Sequence, residues 1–169
     1  ALAVTAAVMK DDIRNAASEQ GYRVELGYGD IDFHREPLRF LAQVGSAEIA
    51  ALFGFTAAAC RDHMAVVFDN AVTGAAVLIT TEIYPEAADY VFPSAAYDEP
   101  VHRMQMQKLG MKPFLHYDFS IDQGLGSAMG LSLLDGSLCM LNRMKTYGTG
   151  GVDVAEDGPG KGRQREDVK

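Results

Sequence analysis

The chain has 169 residues, enough for one domain with a real core, and its 48 % hydrophobic content excludes disorder over most of that length. The net charge of −8 argues against nucleic acid or an anionic membrane as a partner, because the nonspecific part of such binding is electrostatic. No apolar run approaches the roughly 20 residues that a membrane helix needs. Residues 1–9 are apolar but short, no basic segment precedes them, and Lys10 and two aspartates follow, so they do not read as a signal peptide. A cytoplasmic protein is expected. The first residue is alanine, so the start reads as processed, trimmed or cut from a longer chain.

Residues 1–20 read as an alanine-rich helix ended by Gly21. Residues 22–26 alternate as a short strand does, and 27–35 form a loop. Residues 36–43 suggest a short helix with proline near its start. Ser46 is a good N-cap for a strong helix over 47–60, with Ile49, Leu52, Phe53 and Ala57 on one side. Residues 65–68 (AVVF) form a β-branched run expected of a strand buried on both faces, followed by Asp69-Asn70 and a helix over about 72–83. Residues 90–92 read as a short strand ending in Pro93-Ser94, and a helix over 99–109 is closed by Gly110.

Residues 113–117 have the length and content of a buried strand, and 118–126 those of a turn with two glycines and two aspartates. From Ser127 onward Leu131, Leu134, Leu138 and Leu141 recur at the spacing of one helix face. Such a strand, turn and helix bring free backbone N–H groups and the positive end of a helix dipole to the strand's carboxyl end. For Gly124, Gly126 and Gly130, close approach to a ligand and a packing contact stay equally open. Three strands thus each feed a polar loop and then a helix. The fold class expected is α/β, with a parallel, Rossmann-like sheet flanked by helices and ligand loops at the strand C-terminal ends. Cys60 and Cys139 fall inside expected helices and read as buried free thiols. Four histidines show no metal-ligand spacing, and neither metal nor cofactor is expected.

The segments Pro37-Leu38, Val44-Gly45, Glu48-Ile49-Ala50-Ala51-Leu52, VVFDNAVTGAA, DEPVH, LGMKPFL, QGLGSAMG and LNRMKTY occur in an order that resembles the C-terminal half of the nicotinate-nucleotide:dimethylbenzimidazole phosphoribosyltransferase family. The resemblance covers about residues 36–152. It implies a parallel α/β sheet with a small helical domain. It implies an enzyme, a pentosyltransferase that moves phosphoribose from nicotinate mononucleotide to dimethylbenzimidazole for the lower ligand of cobalamin. On this basis residues 36–147 are an α/β phosphoribosyltransferase-like domain and residues 1–35 a poorly matched N-terminal helix and loop, while the glycine and charge content after Tyr147 reads as a flexible charged tail over 148–169.

Carried over residue by residue, the glutamate of the family's GEG turn, its proposed general base, falls on Gln123. An amide cannot take a proton at neutral pH, although it can orient a substrate N–H. The adjacent Asp122 is the expected substitute base. The family's DGF corresponds to Asp69-Asn70-Ala71, which implies that Asp69 binds ribose or holds the phosphate loop. A helix-start aspartate satisfying its own turn is the alternative for Asp69. The family's HxSxEPGH becomes residues 95–102, with Tyr97 at the serine and Glu99, Pro100 and His102 retained. The Tyr97 hydroxyl or Ser94 would then replace the lost serine hydroxyl, and Glu99-Pro100 equally suits the first turn of a helix. His102 is expected to pack. Gly124, Leu125, Gly126 and Ser127 are expected to line the ligand. Lys10 is the stand-in for a phosphate lysine of the family's earlier half. The partners implied are nicotinate mononucleotide, an aromatic base (benzimidazole or phenol), and a second copy or a second chain. The competing readings are a catalytically silent nucleotide-binding or partner subunit, including one of a two-chain form acting on phenols, and a degenerate fragment.

Overall fold

The computed structural model describes residues 1–21, 33–116, 124–146 and 149–150. Its elements in chain order are α1 (Leu2–Val8), α2 (Lys10–Glu19), α3 (Pro37–Val44), α4 (Ala47–Arg61), β1 (Val66–Phe68), α5 (Ala71–Ile83), a 3₁₀ turn (Pro85–Tyr90), β2 (Val91–Pro93), β3 (Ala95–Ala96), α6 (Pro100–Leu109), β4 (Leu115–His116) and α7 (Leu125–Arg143). The chain divides into two units, residues 1–131 and 132–169, and α7 begins in the first and continues in the second.

The helix starts follow from their capping residues. Ser46 accepts a hydrogen bond from the Ile49 amide at the head of α4. Asn70 accepts from the amides of both Val72 and Thr73, while Thr73 Oγ1 receives the Asn70 amide at 3.1 Å, so α5 starts in a complete capping box. Pro37 and Pro100 occupy first-turn positions, where a missing N–H costs nothing. Gly110 closes α6 at φ 66°, a conformation that glycine adopts without penalty.

The first unit is built around α5, which is apolar on nearly all sides and buried from Gly74 through Thr80. One side, with Ala75, Leu78 and Ile79, packs with Val4 of α1, Phe40 and Leu41 of α3, and Ile49 and Phe53 of α4. Val77 on another side joins Cys60, Val66, Phe68, Val91 and Met106. Thr80, fully buried, returns its hydroxyl to the Ala76 carbonyl at 2.7 Å and so leaves no unmet donor in the core. Gln105 of α6 is also fully buried, and its amide nitrogen donates to Thr5 Oγ1 at 2.8 Å and to the Ala71 carbonyl at 2.9 Å, tying α1, α5 and α6 together. Gly74 makes room for this tie, since a methyl group there would collide with the Gln105 side-chain oxygen.

All strand pairing among the described residues is parallel. Val66, Val67 and Phe68 pair with Val91, Phe92 and Pro93. Ala95 and Ala96 pair with Leu115 and His116. Ser94 joins the two ladders: its amide donates to the Phe68 carbonyl at 2.8 Å and its carbonyl accepts from the Leu115 amide at 2.8 Å. In a parallel ladder the Phe68 carbonyl bonds to the neighbour of its partner Pro93, so the proline's missing N–H costs no bond there. The architecture is therefore helix-rich α/β with short parallel strands.

Several expectations change. The first 20 residues form two helices, because the chain turns at Met9. Residues 85–90, between the expected helix and strand, form a 3₁₀ turn, so the strand starts one residue later, at Val91. Cys139 is an exposed thiol and Cys60 alone is buried, both free. On α7 the buried positions in the first unit are Gly126 and Gly130, whereas Leu131, Leu138 and Leu141 of the expected core face are exposed. Helical spacing marks an apolar face but does not supply the surface that covers it. The expected strand at 22–26, residues 117–123 and nearly all of the expected tail lie outside the described residues. No helix of the described residues is long and apolar enough to cross a membrane.

Gly74→Ala should cost about 1–3 kcal/mol of stability by overpacking against Gln105. Gln105→Ala in the same chain should return part of that loss. Urea midpoints measure both, and an unchanged midpoint for Gly74→Ala would contradict the close packing.

Candidate functional site

Asp69 follows directly on β1, at the strand's carboxyl end, yet its side chain is turned inward and only 1 % exposed. Its Oδ2 accepts a 2.9 Å hydrogen bond from the backbone N–H of Ser127, in the first turn of α7. The first four N–H groups of a helix lack intrahelical partners and sit at the positive end of its dipole. A carboxylate 58 residues away in sequence therefore fills a capping role for α7. Asp69 Oδ1, equally buried, has no hydrogen-bond partner among the described residues. One oxygen is committed to the fold and the other remains an unmet acceptor.

Glycine makes this approach possible. A Cβ on Gly126 would lie 2.6 Å from Ala95 Cβ, 2.8 Å from Asp69 Cβ and 3.1 Å from the Tyr97 hydroxyl. A Cβ on Gly130 would lie 2.6 Å from Ser94 Cβ and 2.8 Å from Val67 Cγ1. Both are close-packing glycines that let the start of α7 lie against the strands. Gly124 is different: it is exposed, stands at φ 80° and has open space around it. Leu125, half-buried, opens the helix.

The loop after β2 contributes a second wall. Ser94 is fully buried, and its hydroxyl donates to the Phe68 carbonyl at 3.1 Å, so that hydroxyl serves the strand junction. His102, also buried, places Nε2 at 3.2 Å from the Ala95 carbonyl and stands edge-on to the Phe68 ring. It packs, and in packing it holds Ala95 against Gly126. Tyr97 is half-buried, with its hydroxyl beside Gly126. Asn70 is engaged in the α5 cap. Asp69, Tyr97, Gly126 and Ser127 thus come together at one point. Lys10 does not join them: it begins α2, and no interaction among the described residues links it to that point. Gln123 and Asp122 lie outside the described residues. The Asp69–Ser127 pairing was not legible in the sequence, where no local pattern connects the two positions.

This geometry changes which ligand atom the site suits. The positive end of α7 already faces a carboxylate, so Asp69 Oδ1 offers an acceptor for a hydroxyl or an N–H rather than a donor for a phosphate. No cluster of three metal-binding side chains occurs among the described residues.

A family model described as phosphoribosyltransferase matches residues 15–152, beginning earlier than the resemblance at residue 36. The chain belongs to the nicotinate-nucleotide–dimethylbenzimidazole phosphoribosyltransferase family. The relative of that name from Geobacter sp. (strain M21) is 31 % identical over 135 residues, covering 78 % of this chain and 39 % of the relative. The one from Chlorobaculum parvum is 35 % identical over 121 residues, covering 72 % of this chain and 34 % of the relative. A crystal structure of the Thermus thermophilus nicotinate-nucleotide–dimethylbenzimidazole phosphoribosyltransferase superposes with a TM-score of 0.68 at 26 % identity, covering 89 % of this chain and 47 % of that one. The chain spans less than half the length of these members of the phosphoribosyltransferase family.

Asp69→Ala should cost about 1–3 kcal/mol by removing the acceptor of the Ser127 amide. Asp69→Asn should cost clearly less, because its side-chain oxygen can still accept that N–H. Equal losses in urea denaturation would contradict the capping role.

Proposed function

We propose that the chain carries part of the site of a nicotinate mononucleotide:dimethylbenzimidazole phosphoribosyltransferase. Family membership supports the reaction class, and the unmet Asp69 Oδ1 beside the start of α7 is the observation that carries the reading. Under this reading the described strands belong to a Rossmann-like parallel sheet flanked by helices, with ligand loops at its C-terminal edge. Asp69 Oδ1 accepts a hydrogen bond from a ribose hydroxyl of nicotinate mononucleotide. The Tyr97 hydroxyl and the turn at Gly124 and Leu125 line the same place.

In the reaction a benzimidazole nitrogen attacks the anomeric carbon of the ribose. The new C–N bond forms as the bond to nicotinate breaks, and nicotinate leaves with the electron pair. The attacking ring ends with one proton too many, which a base must remove. Gln123 cannot take it and is assigned the orientation of the ring N–H. Asp122 is assigned as the base. The phosphate then needs donors other than the α7 amide held by Asp69, supplied by groups from the rest of a longer chain or a second copy.

Nicotinate release from nicotinate mononucleotide in the presence of dimethylbenzimidazole tests this reading. The full chain should release nicotinate above background. Asp122→Asn should lower the rate by about 10²–10⁴-fold, the usual contribution of a general base, and Gln123→Glu should raise it. An Asp122→Asn variant with an unchanged rate would overturn the assignment of the base, and a folded chain that neither releases nicotinate nor binds nicotinate mononucleotide would overturn the reading.

A further inference from the structure

A cavity of about 690 Å³ opens at the edge of the parallel strands opposite to Asp69. Its lining residues precede β1 and β2: Arg61 and His63 before the one, and Tyr84, Glu86, Asp89 and Tyr90 before the other. Small residues of α4, including Gly54, Ala57 and Ala58, complete the lining and leave it roomy. The volume falls within the range of small-molecule sites.

His63 is the informative residue. It follows the end of α4 at φ 57°, the sole residue other than glycine at positive φ among those described. Its amide bonds the Cys60 carbonyl at 3.0 Å, and the Met64 amide bonds the Ala59 carbonyl at 2.9 Å. This pair of bonds is the helix-ending motif whose left-handed position glycine normally fills, as Gly110 does after α6. A histidine there carries a steric penalty that glycine would avoid. What the histidine adds is a ring, set 5.3 Å from the Tyr90 ring at the cavity.

The charges are equally uneven. The Arg61 guanidinium is engaged by Asp62 at 2.9 Å, whereas neither Glu86 nor Asp89 has an ion-pair partner among the described residues. Burial pushes the Cys60 thiol up, so that wall of the cavity is uncharged. Three aromatic rings with two uncompensated carboxylates favour a flat, apolar cation and repel anions.

We propose that this cavity binds a planar aromatic cation, which lies against the contacting His63 and Tyr90 rings with Tyr84 and the carboxylates of Glu86 and Asp89 lining the same cavity. The site is separate from that of Asp69, and its occupancy does not depend on the transfer reaction.

N-methylquinolinium is a suitable probe and neutral quinoline its control, with binding followed by NMR of the isotope-labelled full chain. Saturable shifts are expected at His63, Tyr84 and Tyr90 for the cation, with quinoline at least about tenfold weaker. The double variant Glu86→Gln, Asp89→Asn should weaken the cation by about tenfold. His63→Gly should also weaken it, while leaving the thermal midpoint at or above that of the parent chain, which separates the ring's role from folding. The proposal is overturned by the lack of saturable shifts at these residues, by equal affinity for quinoline, or by unchanged binding in the double variant.

Discussion

The hydrogen bond from the Ser127 amide to Asp69 Oδ2 is the constraint on which the candidate site rests. It joins the end of β1 to the beginning of α7. It also decides the chemistry left over. A helix start alone would favour an anion, but here a buried carboxylate already meets it, so the remaining polarity is that of an acceptor. The same carboxylate supplies both effects, since one oxygen is used by the fold and the other is unmet.

That constraint needs a firm base, which α5 provides. The helix starts in the Asn70–Thr73 capping box directly after Asp69, so the cap fixes the backbone that carries the carboxylate. Its buried run from Gly74 to Thr80 then anchors this start in two apolar clusters. From the other side, His102 holds the Ala95 carbonyl, and Ala95 lies against Gly126. The site is thus clasped between two helix starts and a strand junction, with glycines at the closest approaches.

Much of this was legible in the sequence, for local reasons. AVVF, the cap at Ser46, and Gly110 are short-range signals, and the elements they delimit agree closely with those found. The order of motifs disclosed the family. Of the glycines left open, Gly126 packs against Asp69, Ala95 and Tyr97, Gly130 packs against Val67 and Ser94, and Gly124 stands at positive φ in open space. What the sequence could not disclose was long-range or depended on absent surfaces. The Asp69–Ser127 pairing spans 58 positions, and the exposure of Leu138 and Leu141 depends on what covers an apolar face rather than on its periodicity. Histidine at the left-handed end of α4 was equally hidden, because no residue pattern predicts strain where glycine would be easier.

Calorimetric titration with nicotinate mononucleotide, comparing the chain with its Asp69→Asn variant, tests the central claim most directly. The variant keeps an oxygen for the Ser127 amide but turns an NH₂ group toward the place of the unmet acceptor. The account predicts saturable binding to the parent chain and at least about tenfold weaker binding to the variant, the loss expected when a neutral NH₂ replaces the carboxylate acceptor of the ribose hydroxyl. Equal affinities, or no binding by the folded parent chain, would contradict it.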